Sequence, residues 1–129
     1  MLCFDEVART RTEIDRQVAE LQAAGAEALF AHTPCWATPN LAVRAIQSLD
    51  LPTVVMTSTS AATHGMVGML ATAGSLGQIG FDHMRVREDF GAPVFVDEVL
   101  PFFRAAAARA RLQGRVMGLF GGRSLGIDT

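Results

Sequence analysis

The residues able to do chemistry fall in three stretches. His32-Thr33-Pro34-Cys35-Trp36 joins an imidazole, a thiol and the chain's only tryptophan. Thr57-Ser58-Thr59-Ser60-Ala61-Ala62-Thr63 is a run of hydroxyls. Gly121-Gly122-Arg123-Ser124-Leu125-Gly126-Ile127-Asp128-Thr129 is glycine-rich, and Arg123 and Ser124 offer donors to an oxygen-rich ligand. A metal pair from His32 and Cys35 lacks a third ligand nearby in sequence. Hydroxyls ahead of a helix suit either an N-cap or a phosphate. The glycines of 121–126 are not followed by Lys-Ser or Lys-Thr and form no G-x-G-x-x-G, so both nucleotide fingerprints fail. Among the carboxylates only Asp128 falls at a strand end within a candidate site. His64 belongs to a capping region, and Asp82-His83 marks a strand entry. No nucleophile, base and orienting group assemble from these residues.

The elements that must position these stretches follow from hydrophobic period and breakers. Val7, Ile14, Val18 and Leu21 predict an amphipathic helix over 5–24 that ends near Gly25. Glu27 to Thr33 reads as a buried strand closed by Pro34. Thr38-Pro39 is an N-cap followed by proline at the first helical position, and Ala42, Ala45, Ile46 and Leu49 form the stripe of a helix ending near Asp50. Thr53-Val54-Val55-Met56-Thr57 has the β-branched, continuously apolar character of a central parallel strand. Thr63 to Leu76 predicts a helix burdened by Gly65, Gly68 and Gly74, each costing about 1 kcal/mol relative to alanine. Such a helix is expected to be covered closely by something outside the chain. Phe81 to Arg87 is a weaker strand. Pro93 opens a long helix closed by Gly114, with Val96, Val99, Leu100, Phe103 and Ala107 facing inward and Pro101 kinking or restarting it. Arg115 to Phe120 reads as a last strand, placed in one sheet with 27–33 and 53–58, on which helices 5–24 and 93–113 pack.

Strands alternating with helices predict an α/β fold, a parallel sheet with helices on both faces, flavodoxin-like or Rossmann-like in form. Residues 1–129 constitute a single α/β unit, and 121–129 are expected to lead into a missing domain. In open sheets of this kind ligands bind outside the carboxyl ends of the strands. That is where His32 to Trp36, Thr57 to Thr63 and the glycine-rich loop from Gly121 fall. Two roles stay open for Trp36, a ring packed under a helix or one presented to a ligand.

Half of the residues are apolar and the net charge is −2, which excludes a disordered tail and a dedicated nucleic-acid binder. No run is long enough for a membrane span, and the start does not resemble a signal peptide. The two cysteines, Cys3 and Cys35, are far apart and form no redox or zinc spacing. A cytoplasmic location is expected.

Thr33-Pro34-Cys35-Trp36 after one strand and Gly118-Leu119-Phe120-Gly121-Gly122-Arg123-Ser124-Leu125-Gly126 after another resemble the amino-terminal region of the L-fucose isomerase and arabinose isomerase family. Gly65-Met66-Val67-Gly68-Met69-Leu70 is similar to members too, and the resemblance covers essentially the whole chain. It implies part of a cytoplasmic, oligomeric aldose–ketose isomerase that uses a divalent metal, Mn²⁺, to hold adjacent sugar oxygens while a proton moves through an ene-diol. The metal ligands, two carboxylates and a histidine, would follow Thr129, so the fragment alone is expected to bind no cofactor and to be inactive. The resemblance gives Trp36 a place against the sugar of a neighbouring subunit, and places Ser124 and Leu125, with Arg123 beside them, in the pocket lining. Asp128 departs from the family pattern, where an uncharged residue is usual. The alternative is a free-standing flavodoxin-like module that holds a phosphate or flavin through Thr57 to Thr63. That loop resembles the flavodoxin phosphate loop but lacks its glycine, and the chain has no tyrosine to flank a flavin.

Overall fold

The computed structural model describes residues 2–118. Helix α1 (Arg11–Ala23) starts well after Asp5, because a capping box fixes its first turn. The Thr10 hydroxyl accepts from the Glu13 N–H at 3.3 Å, while the Glu13 carboxylate accepts from the N–H groups of Arg9 at 2.7 Å and Thr10 at 3.0 Å. These bonds hold the Glu13 carboxyl below its usual pKa range, the Arg9 N–H having the largest effect. Strand β1 (Leu29–His32) leads to α2 (Pro39–Leu49), which ends on Asp50 in the left-handed region. Strand β2 (Thr53–Thr57) precedes α3 (Gly65–Gln78) and β3 (His83–Arg87). A π-helical turn, Phe95–Val99, then runs into α4 (Leu100–Leu112). Helical backbone runs unbroken from Val94 into α4, so Pro101 lies inside a continuous helical stretch, and the π-turn immediately before it is where the hydrogen-bond ladder adjusts to its missing N–H.

The three strands form a parallel sheet in the order β1-β2-β3, with Leu29 opposite Thr53 and Thr53 opposite His83. Every residue of β2 is buried, as its unbroken apolar run predicts. Alternation of side chains splits the core in two. On one face Val55 packs with Ile46 of α2 and with Met69 and Leu76 of α3. On the other, Val54, Met56 and Val86 meet Val99, with Phe30, Phe95, Phe102 and Phe103 around them. Ile46, Met56 and Leu76 are completely covered, each contributing about 1.5–3 kcal/mol of burial. The predicted α/β fold with helices on both faces is thus observed.

Several elements differ from expectation. Helix α1 packs on α2 rather than on the sheet, fastened by two bonds from the Arg44 guanidinium to Asp15, at 2.8 and 3.0 Å. Residues 115–118 carry no strand. Val116 is 96% and Met117 93% exposed, so no ladder partner among the described residues reaches them. The rest of that predicted strand, with Arg123, Ser124 and Leu125, lies outside the described residues. Strand β1 consequently forms an edge of the described sheet. The N–H groups of Leu29 and Thr33 donate toward β2, to Pro52 at 2.9 Å and Met56 at 2.8 Å, which leaves the alternate residues Phe30 and His32 facing away.

Candidate functional site

Parallel strands aim their carboxyl ends at one rim of the sheet, and the loops that leave them converge there. Thr33 to Ala37 follows β1, Ser58 to His64 follows β2, and Glu88 to Ala92 follows β3. Three contacts bind the first two together. The Thr57 hydroxyl donates to the Thr33 carbonyl at 2.8 Å. The Trp36 N–H donates to the Thr63 carbonyl at 3.0 Å. Gly65 and Gly68, both buried in the first turns of α3, let that helix press on the backbone of residues 33–37. Trp36 itself is 59% exposed, unlike a core tryptophan.

The loops after β2 and β3 are joined by Asp89. Its carboxylate accepts from the Thr59 N–H at 3.0 Å and from the Thr59 hydroxyl, and the Arg87 guanidinium donates to the Thr59 carbonyl at 3.3 Å. The hydroxyl, and then the N–H, of Thr59 hold the Asp89 carboxyl below its usual range. These bonds also bear on the phosphate alternative. The hydroxyls of Thr57 and Thr59 already donate within the protein, and Asp89 puts a negative charge where a phosphate would have to sit.

Beyond β1 the His32 ring meets the Phe90 ring edge-on, with centroids 5.0 Å apart. Burial lowers the His32 pKa, which favours the neutral imidazole. Phe90 is 65% exposed and stacks on Phe95 at 5.7 Å. The rim therefore presents two large aromatic rings, an imidazole and a hydrogen-bonded polar loop.

Among the described residues no group of His, Cys, Asp and Glu is arranged to hold a metal ion. Cys35 is an exposed free thiol, and His83 is bonded to the Phe81 carbonyl at 2.9 Å as part of the entry into β3. His64 caps α3 in the left-handed region. A groove between α1 and α2 is lined by Arg9, Arg11, Thr38, Asn40 and Arg44, and Trp36 is not part of its lining. Its Arg44 is committed to Asp15. Among the described residues no catalytic set is assembled in either place.

The family model for the first amino-terminal domain of L-fucose isomerase matches residues 3–114. The chain belongs to the L-fucose isomerase family. No curated protein and no solved structure matches it. In this L-fucose isomerase domain the matched span includes Trp36 and the whole rim, and ends just after α4. Arg123, Ser124 and Leu125 lie beyond it. Sequence reading missed Asp89 and Phe90, although Asp89-Phe90-Gly91-Ala92-Pro93 has the composition of a turn between elements.

Proposed function

We propose that this domain supplies one wall of the sugar site in a metal-dependent aldose–ketose isomerase acting on L-fucose or L-arabinose. The observation that carries this reading is an exposed Trp36 at the carboxyl end of a parallel strand, in a chain of the L-fucose isomerase family. The C–H face of a sugar lies well against an indole, while its hydroxyls stay free to bond elsewhere. The full-length protein is a cytoplasmic homo-oligomer in this reading, and Trp36 faces the substrate held by a neighbouring subunit. Arg123, Ser124 and Leu125 line the same pocket. Mn²⁺ belongs to other domains of the polypeptide, where it would polarise adjacent sugar oxygens. No step is assigned to it on this chain, since the described residues offer it no ligand set.

Steady-state kinetics of Trp36→Ala in the full-length enzyme test the proposal. A raised KM or lowered kcat/KM for L-fucose or L-arabinose with Mn²⁺, in a protein that stays folded, is the expected result. Unchanged kinetics in a folded variant would refute it. The 129-residue chain alone is expected to turn over neither sugar, and metal-dependent turnover by it would place the active site elsewhere.

A further inference from the structure

Helix α3 holds Gly65, Gly68, Gly74 and Gly77, none in a left-handed conformation, so backbone freedom does not explain them. Their surroundings divide them. A Cβ added at Gly74 or Gly77 would meet nothing within 4 Å. A Cβ at Gly65 would lie 2.7 Å from the Thr33 carbonyl oxygen and 3.1 Å from that of Pro34, besides striking the Thr57 hydroxyl. A Cβ at Gly68 would lie 2.9 Å from the Thr33 methyl, 3.1 Å from the Ala37 nitrogen and 3.3 Å from the Cys35 oxygen. Comfortable separations for carbon are about 3.5–4.0 Å. Apart from the Thr57 hydroxyl, the nearest atoms at both positions belong to residues 33–37, the stretch that bears Trp36.

We propose that Gly65 and Gly68 are positioning residues for Trp36. Their missing side chains let α3 clamp the loop after β1 so that the indole is held at one place on the rim. A side chain here would displace the loop rather than the helix. Helix α3 is anchored by buried Met69, Thr72, Ala73 and Leu76, whereas Pro34, Cys35, Trp36 and Ala37 are exposed. Loop movement also strains the bond from the Trp36 N–H to the Thr63 carbonyl. The role in catalysis rests on Trp36 being a sugar wall; the positioning itself does not.

Trp36 is the only tryptophan and the chain has no tyrosine, so its emission and quenching report on this loop alone. In the 129-residue chain, Gly68→Ala is expected to shift the Trp36 emission maximum and change its acrylamide quenching. Gly74→Ala and Gly77→Ala should leave both as in wild type. Adding Thr33→Ser to Gly68→Ala removes the methyl met first and should restore the signal part-way. Should Gly68→Ala alone not fold, as read by far-UV circular dichroism, the double variant is compared with wild type and a shift is still expected. A wild-type Trp36 signal in folded Gly68→Ala, or an equal shift in Gly74→Ala, overturns the proposal. In the full-length enzyme the displaced indole should raise KM. A shifted signal with unchanged kinetics upholds the positioning and removes the sugar-wall reading instead.

Discussion

Trp36 and Thr63 are joined through their backbones, N–H to carbonyl at 3.0 Å, so the loop after β1 is tied to the loop after β2 just before α3 begins. The tie holds the backbone of Trp36 and leaves its side chain exposed. A residue can thus be well placed and yet contribute little to stability.

Trp36→Ala is accordingly expected to destabilise the domain by less than about 1 kcal/mol, against about 3–5 kcal/mol for a buried tryptophan. Urea midpoints of the two proteins measure the difference. A loss in the larger range would make Trp36 a core residue.

His32 gives a pH dependence whose sign follows from the partial cover of its ring. Its pKa in the folded protein is lowered by burial, so as pH falls through the ordinary histidine range the unfolded chain takes up the proton first. Stability contributed by the neutral ring is complete above that range and declines on acidification until the folded-state pKa is passed. Phe90→Ala uncovers the ring and should move its pKa back up. NMR titration of the imidazole in both proteins decides the matter, and a wild-type value at or above the variant's would refute the account.

Asp89 acts in a more acidic window. The Thr59 hydroxyl and N–H lower its pKa, so its contribution is present above the ordinary carboxylate value and lost as pH falls through the folded-state value. Asp89→Asn should flatten the fall of Tm with pH in that acid range. Parallel Tm curves for the two proteins would show that the contact does not persist in solution.

Gly74 should be replaceable with profit to the helix. An alanine there meets no neighbour, and relieving the entropy cost of glycine is expected to stabilise α3 by about 0.5–1 kcal/mol. A lower Tm for Gly74→Ala would reveal a contact that the open surface does not show.

How legible the molecule was depends on which interactions set each feature. Strand β2 and helix α2 could be read directly, because a continuous apolar run and Thr38-Pro39 are local signals that tertiary packing reinforced. The start of α1 was also local, in Thr10 and Glu13, but the apolar Val7 drew the helix too far toward the amino terminus. The place of Trp36 at the rim followed from the rule for parallel sheets, and its ring is exposed there. Asp89 and Phe90 were not legible, since their meaning comes from Thr59 and His32, far off in sequence. Gly65 and Gly68 were read as touching something outside the chain. Their neighbours proved to be Thr33 to Ala37, which only the folded arrangement brings there.

The outward-facing backbone of β1 affects how the domain behaves at high concentration. Phe30 and His32 direct their amide and carbonyl groups away from β2, and among the described residues no strand lies beyond them. Such a margin is a template on which a second extended chain can add. Four residues make it a short one, and the His32 ring packed on Phe90 narrows the approach from one side. So short a margin limits that pairing, and the isolated domain is expected to be only weakly self-adhesive along this seam.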